Sequence, residues 1–386
     1  MKKLLFNLLL LFMFIPAIVN ADSLSSDTDL KKHYDSVINN SEYSVIKAKI
    51  IDIEYDDTKE KRETPLESDI RYQHLKIKIL NGTHKEEELT IRHTIERIMP
   101  GSYIFKQGDK ILLRITENKG IIETIKIEEK VRDINIFLIL LLFVILLLLF
   151  GKISGLKTLI SLIFTIGTII LIYIPLILNG FSPILASILV SILSIVVTLL
   201  IISGNNKKTY VAIISTSIGV IFSGIIAILF GKFASLTGLS EDSAISLAYI
   251  PQYRNLNYQG ILFGTILIGA IGAIMDVAIS IASSLWEIKE INSNINKNEM
   301  IKSGFNIGRD ILGSMSNTLI LAYVGTTLHL IMLFIVYRVK FIEIINLDSI
   351  ATEIIRAMAG SIGLIITIPI TVLISTFVYI EKKPMS

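Results

Sequence analysis

The last 253 residues of the chain, from Ile134 to Ser386, carry only 26 charged side chains. The preceding 112 residues, from Asp22 to Asp133, carry 43 and have a net charge of −3. Soluble domains have about 25% charged residues, so the long second part is too apolar to fold in water. We therefore predict a multi-pass membrane protein with a soluble N-terminal domain, and the lipid bilayer is its first expected partner.

Seven segments of the second part are long and apolar enough for a helix of about 20 residues across the hydrocarbon core. They lie at about 134–150, 158–178, 182–203, 209–231, 258–284, 311–337 and 356–380. If the N-terminal domain is outside, the cytoplasmic loops carry ten Lys and Arg residues and the outside loops carry five. This bias follows the positive-inside rule and predicts a cytoplasmic C-terminus in the cell membrane.

The first 21 residues have the features of a secretory signal. Lys2 and Lys3 precede an apolar run from Leu4 to Val19, which ends at Asn20-Ala21. An uncleaved signal anchor is the alternative, because the run is long. In both cases the residues that follow are exported.

Residues 22–133 are expected to form an extracellular β-rich domain. Short alternating stretches follow one another at 45–53, 75–80, 88–92, 110–116 and 121–127. Asn81-Gly82 favours a two-residue hairpin turn, in which both positions need positive φ. Five or six short strands with one apolar face predict a small β-barrel or sandwich of the OB-like type.

The sequence argues against several function classes. It has no cysteine and no basic stripe for nucleic acid. The four histidines of the exported domain fall at spacings that match no metal signature, and we expect them to be solvated: His33, His74, His84 and His93. The sequence also lacks a His-Glu-x-x-His motif and a Walker loop. We expect no catalytic residue, no metal and no cofactor.

One carboxylate lies inside the fifth apolar segment. An aspartate there costs about 2.5–3.5 kcal/mol on insertion scales, so it normally faces protein or water and has a function. Helical spacing places it on a stripe of small and polar residues, namely Gly269, Gly272, Asp276, Ser280, Ser283 and Glu287. Gly260 and Gly264 precede the stripe as further packing positions. The alternative is a packing seam in which Asp276 bonds to a neighbouring helix.

The sixth segment continues the polar pattern. Arg309 and Asp310 lie near its cytoplasmic edge, where Asp310 either favours the helix N-terminus or pairs with Arg309. Gly313 and Asn317 follow on one face, and we expect Asn317 to hydrogen-bond to Asp276.

The seventh segment repeats a stripe of small and polar residues, with Gly360 and Gly363 followed by Thr367 and Thr371. Arg356 is expected to be an interfacial anchor. The first four helices look featureless and are expected to face lipid or to brace the others. The outer loop 232–257 is expected to lie along the interface as a short amphipathic helix or to re-enter the membrane.

Two stretches carry a resemblance to a known family. They are Gly269-Ala-Ile-Gly-Ala-Ile-Met-Asp-Val-Ala-Ile-Ser-Ile-Ala-Ser-Ser-Leu-Trp-Glu-Ile288 and Gly308-Arg-Asp-Ile-Leu-Gly-Ser-Met-Ser-Asn-Thr-Leu-Ile-Leu-Ala-Tyr-Val-Gly325. Both resemble the YibE/F family of bacterial multi-spanning membrane proteins. The exported domain, with Val45-Ile-Lys-Ala-Lys and Gly108-Asp-Lys-Ile-Leu-Leu, is similar to the β-rich N-terminal region of that family. The resemblance implies this architecture, and a permease or efflux role.

Three hypotheses about function follow. In the first, helices five to seven line a transport path in which Asp276 binds a proton or cation. In the second, the chain is a non-transporting scaffold or sensor whose β domain binds a partner or an envelope component. The third, an intramembrane aspartyl protease using Asp276 and Asp310, lacks its Gly-x-Gly-Asp signature, because Ala273-Ile274-Met275 precede Asp276. A homo-oligomer is compatible with the first two.

Overall fold

The computed structural model describes residues 43–59, 70–96, 103–118 and 121–380. The chain divides into two compact units within its first long helix, between Leu146 and Leu147. The predicted signal segment 1–21, the polar stretch 22–42 with His33, and residues 381–386 lie outside the described residues.

The described residues of the first unit form one five-stranded antiparallel sheet in the order β3-β2-β1-β4-β5. The strands are β1 (Tyr43–Asp56), β2 (Ile70–Ile79), β3 (Glu88–Glu96), β4 (Lys110–Asn118) and β5 (Ile121–Lys130). Alternate side chains of the three inner strands point to one face and form an apolar core that includes Ile50, Leu75, Ile77, Ile111 and Leu113. The sheet is a nearly closed barrel, so the prediction of a small β-barrel is confirmed.

The segment before β4 links the strands at the two edges of this sheet. The Gln73 amide bonds to both backbone groups of Phe105, at 2.9 and 3.1 Å. The Tyr103 carbonyl lies 2.8 Å from Nε2 of His93 on β3, and the Tyr103 hydroxyl donates to Glu129 on β5 at 3.0 Å. Side chains of this segment therefore join β3 to β5 where no ladder does among the described strands.

The hairpin prediction at Asn81-Gly82 is wrong in its loop length. The β2–β3 ladder ends at the pair Lys78–Glu88, and eight residues separate the two strands. Gly82 does have a positive φ of 90°, but Asn81 uses its side chain to accept a hydrogen bond from the Lys47 amide at 2.6 Å. The connection is therefore a longer loop and not a tight turn, and the bond to Lys47 on β1 stabilises it.

The described residues of the second unit are helical, and its first helix begins in the unit before. The helices are α1 (Asp133–Thr168), α2 (Ile174–Leu178), α3 (Pro183–Ser203), α4 (Lys207–Phe233), α5 (Asp242–Tyr249), α6 (Tyr258–Ile291), α7 (Lys297–Thr326), α8 (Leu328–Val336), α9 (Phe341–Ile345) and α10 (Asp348–Tyr379). A π-helical turn, Ile169–Tyr173, joins α1 to α2.

Five helical runs in the described part of the chain are long and apolar enough to cross a membrane. A sixth is counted if α7 and α8, which meet at a bend of 58°, form one span. The sequence predicts seven. The difference lies in the 46-residue run Asp133–Leu178, which contains both predicted segments 134–150 and 158–178.

This run does not continue straight. Lys152 has the non-helical angles φ 48° and ψ −126°. A Cβ atom built on Gly155 would collide with the carbonyl oxygen of Leu147, although residues eight apart on a straight helix are separated by about 12 Å. The chain therefore reverses at Lys152, and each of the two arms is long enough for one crossing.

Two helices begin earlier than predicted. Asn296 accepts a hydrogen bond from the Glu299 amide at 2.9 Å and Glu299 accepts one from the Asn296 amide at 3.4 Å. This capping box starts α7 at Lys297, fourteen residues before the predicted position. The other early start is at α10, which begins at Asp348, eight residues before the predicted 356.

The centre of the second unit is formed by α4, α6 and α10, which pack against one another, with α3 and α7 at their sides. Small residues recur at every fourth position of α4 and are all buried: Ser215, Gly219, Ser223, Ala227 and Gly231. Small side chains allow helix backbones to approach closely. The expectation that the first four helices are featureless is therefore wrong for α4.

Candidate functional site

Asp276 lies near the middle of α6, the helix that contains the fifth predicted segment, and its side chain is exposed. Among the described residues it has no hydrogen bond and no ion pair. The opposite face of α6 is buried in the core of the second unit through Ile274, Val277, Ala278 and Ile281. The carboxylate thus points away from the helices that hold α6 in place.

The residues around Asp276 form an exposed stripe along α6. Residues three, four and seven apart share one face of a helix, and the exposed ones here are Gly269, Gly272, Asp276, Ser280 and Glu287. Ser283, which the sequence also assigned to this stripe, is half-buried. In α6, no large apolar side chain is exposed before Ile291 at the end of the helix.

The other long helices differ from α6 in this respect. Large exposed side chains along α10 are all apolar, namely Ile354, Met358, Ile365, Leu373 and Phe377. The exposed faces of α3 and α4 carry Leu, Ile and Phe in the same way. The face of α6 that contains Asp276 is therefore chemically distinct.

Helix α7 runs antiparallel to α6 beside this stripe. A Cβ on Gly304 would lie 3.1 Å from Leu285, one on Gly308 would lie 3.7 Å from Ile281, and one on Gly269 would lie 3.3 Å from the hydroxyl of Tyr323. These contacts place Asp276 level with residues 313–316 of α7.

The predicted hydrogen bond between Asp276 and Asn317 is not formed. Asn317 is close to the level of Asp276, but it is exposed and has no hydrogen bond among the described residues. Gly313, one turn earlier, is also exposed, and nothing lies within 4 Å of its Cβ position. The side chains of Asp276 and Asn317 therefore both face outward, from the same side of the bundle.

Arg309 and Asp310 are exposed too. The idea that Asp310 acts on a helix N-terminus is wrong, because α7 begins at Lys297 and Asp310 is more than three turns further along. Within the described part of the chain the two side chains form no ion pair.

Only some of the glycines predicted to pack helices are in contact with another helix. Gly264 and Gly363 are in close contact with other helices: a Cβ on Gly264 would collide with the Tyr173 hydroxyl, and one on Gly363 would lie 2.7 Å from Cβ of Ser223. Gly360 faces Leu319 at 3.0 Å, and Gly260 faces its own N-cap residue, Asn257. Gly272, like Gly313, has no atom within 4 Å.

The stripe on α10 faces the interior instead of Asp276. Thr367 and Thr371 are fully buried and each donates a hydrogen bond of 2.8 Å to the carbonyl four residues earlier, on Gly363 and Thr367. Ser223 of α4 meets Gly363 of α10 in the same seam. Several buried hydroxyls of these two helices have no described hydrogen-bond partner: Ser215, Thr216, Ser223 and Ser361. The spacing of four along α4 was the signal in the sequence that could have located this seam.

A second polar cluster lies near the N-terminus of α10. Arg356 is mostly buried, with its Nε atom 3.3 Å from Glu353 and an Nη atom 3.6 Å from Glu241. Because α10 starts at Asp348, Arg356 is in the third turn of the helix and not at its beginning as predicted. The Thr237 hydroxyl donates to Asp348 at 2.7 Å, so two contacts fix the loop before α5 to α10.

Two histidines of the barrel differ from the expectation of solvated side chains. His93 is buried against Phe105, with ring centroids 4.8 Å apart, and burial lowers its pKa while the bond to Tyr103 opposes the shift. His84 is largely covered and bonds to Glu87 at 3.0 Å. The described residues contain no group of three or more His, Cys, Asp or Glu arranged to hold a metal.

These features define a class: a small antiparallel β-barrel followed by a bundle of long apolar helices, one of which presents an unpaired carboxylate. The family model for YibE/F-like proteins matches residues 139–381, and the model for the YibE/F family N-terminal domain matches residues 41–130. The chain belongs to the YibE/F family, as the resemblance of its motifs indicated. No curated protein and no solved structure matches the chain.

Proposed function

We propose that this protein is a multi-pass permease of the cell membrane, with the β-barrel outside and the C-terminus in the cytoplasm. Five or six helical runs have the required length and apolar character. The reversal at Lys152 supports a count of seven crossings, because it divides the longest run into two. The charge bias between alternate loops supports the orientation.

The observation that carries the proposal is the exposed, unpaired carboxylate of Asp276 on a face without large apolar side chains. In a bilayer, such a group costs about 2.5–3.5 kcal/mol on insertion scales unless water, a cation or protein contacts it. A structural aspartate would be expected to have a hydrogen-bond partner, and Asp276 has none among the described residues. We therefore assign it the binding of a proton or cation during transport.

The polar path extends from Asp276 in both directions along α6. Ser280 and Glu287 continue it towards the end that would face the cytoplasm. In the other direction lie Gly272 and then Gly269 beside the Tyr323 hydroxyl. The buried α10 stripe does not line this path but supports it from behind, since Gly363 packs against Ile274 on the core side of α6.

The proposal is tested with the purified chain reconstituted in liposomes, under an imposed proton, sodium or potassium gradient. We expect flux in the native protein and its loss in Asp276→Asn, which keeps the shape and removes the charge. Asp242→Asn, on the exposed face of α5, is the matched control and should keep full flux. Unchanged flux in Asp276→Asn would remove this residue from the mechanism.

A non-transporting sensor or scaffold is the second candidate, and one feature of the barrel favours it. Tyr55 and His74 are neighbours on its outer face, with ring centroids 5.4 Å apart, and the Arg92 guanidinium lies 3.9 Å over the Tyr72 ring. Exposed aromatic and basic side chains together are suited to binding a polymer of the cell envelope. This function requires Tyr55→Ala with Arg92→Ala to abolish binding to isolated cell envelopes, while Asp276→Asn has no effect.

A further inference from the structure

The exposed polar side of α6 and α7 is incomplete in a single copy of the chain. We define the open face as Gly269, Gly272, Asp276 and Ser280 of α6 with Gly313 and Asn317 of α7; all six are exposed. We infer that a second copy of this chain covers the open face in the membrane, so that Asp276 lies between two protomers. The inference rests on the membrane insertion that the proposed function requires, but not on transport itself.

Lipid does not suit the open face. Asp276 and Asn317 bring a carboxylate and an amide to positions where no described group bonds to either. Polar groups in hydrocarbon need a partner, and interhelical hydrogen bonds of this kind contribute about 0.6–2 kcal/mol each. By contrast, the exposed faces of α3, α4 and α10 carry large apolar side chains that lipid can solvate.

No other described part of the chain closes the open face. Nothing lies within 4 Å of the Cβ positions of Gly272 and Gly313, at the level of Asp276. A path enclosed by one chain would need a wall here. In a single copy, the described residues therefore enclose Asp276 on one side only.

The open face also complements itself. It carries an acceptor in Asp276 and donors in the Asn317 amide and the Ser280 hydroxyl. Two copies related by a two-fold axis present the same patch to each other, so each carboxylate can meet the other copy's donors. The three glycines permit close backbone approach, as small residues do at membrane helix interfaces.

The chain offers a clean test because it contains no cysteine. Single substitutions Gly272→Cys, Ser280→Cys and Gly313→Cys are made in the full-length protein and oxidised with copper phenanthroline in membranes. The matched control is Ile221→Cys, on the exposed apolar face of α4. We expect a reducible band of two-copy mass from at least one open-face position and none from the control.

Other occupants of the open face give other results. If the control cross-links as strongly as the open-face positions, or if none of them cross-links, the inference is overturned. Free reaction of the three thiols with a membrane-impermeant maleimide, without cross-linking, would show a water-filled surface and would overturn it too. An intrachain cross-link between Gly272→Cys and Leu10→Cys would assign the face to the N-terminal apolar segment instead.

A second measurement does not depend on any substitution. Native mass spectrometry of the unmodified protein released from lipid nanodiscs should show two copies, and a single copy would contradict the inference. Neither readout involves flux. Cross-linked dimers that carry no flux would therefore refute the proposed transport alone, whereas flux from a single copy would refute the second protomer alone.

Discussion

The close crossing of α4 and α10 makes a sharp prediction about Gly363. A methyl group there would lie 2.7 Å from Cβ of Ser223 and 3.0 Å from the carbonyl oxygen of Gly219. Neither atom can move by a change of rotamer, because the carbonyl oxygen of Gly219 belongs to the backbone and Cβ of Ser223 is bonded directly to the backbone. Gly363→Ala must therefore push the two helices apart by at least about 0.7 Å to reach ordinary contact.

Overpacking of this kind costs about 1–3 kcal/mol, and alanine recovers up to about 1 kcal/mol because glycine is the poorer helix former. The net destabilisation should be about 1–2 kcal/mol. For a protein unit of 150–250 residues, 1 kcal/mol corresponds to about 2–4 °C in Tm. We therefore expect the apparent Tm to fall by about 2–8 °C.

The assay is thermal unfolding of the purified protein in detergent, followed by the fraction that still elutes as a single species in size-exclusion chromatography. Gly325→Ala is the matched control, because Gly325 is also helical but has no atom within 4 Å of its Cβ position. It should leave the Tm unchanged or raise it. An equal drop in both variants, or no drop in Gly363→Ala, would refute the proposed close approach of α4 and α10.

Gly155→Ala should destabilise the reversal at Lys152, because the new methyl group meets a backbone carbonyl. Protease cleavage near residue 152 should increase. Unchanged cleavage would argue for a straight helix. Burial lowers the pKa of His93 below its ordinary value near 6.5, so the barrel should have its full stability above about pH 6.5 and lose it as the pH falls through the folded-state pKa. Pulse proteolysis in urea at pH 7.5 and pH 5 should show this loss, and His93→Gln, which keeps a donor but does not titrate, should show less of it. Asn296→Ala should remove about 1 kcal/mol from the first turn of α7, seen as faster amide exchange there; no change would exclude the capping box as its start.

The architecture could be predicted from the sequence because its signals are local. The period of two from Val45 to Ile53 identifies a half-buried strand wherever that strand is placed. Long apolar runs and scarce charge likewise identify helices such as α3 without any knowledge of their neighbours. The position of Asp276 among small residues was visible for the same reason, since helical spacing alone fixes which residues share a face.

A tertiary contact decides the local structure at two positions where the prediction is wrong. Asn81-Gly82 looks like a tight hairpin, but the bond from Lys47 to Asn81 belongs to a different strand pair. His93 looks like a surface histidine until the segment containing Tyr103 and Phe105 folds over it. Neither contact has a local signature.

At other positions two local signals in the sequence compete. The predicted start of the sixth segment followed hydropathy, whereas α7 begins at the capping box Asn296-Lys297-Asn298-Glu299, which is plain in the sequence. The three predicted polar stripes were assumed to face one another. In the structure, the stripe with Gly363 and Thr367 packs against α4, because the small residues of α4 allow close contact with α10. The stripe with Asp276 has no such partner and is exposed.

The most direct test of the central claim is labelling of Asp276 in native membranes with dicyclohexylcarbodiimide, a hydrophobic reagent that attacks protonated carboxyl groups. Peptide mass spectrometry would locate the adduct, and proton or cation flux would be measured on the same preparation. An exposed transport carboxylate should be modified, and flux should decrease in proportion to the modified fraction of Asp276. Full flux from protein in which Asp276 is completely modified would contradict the account.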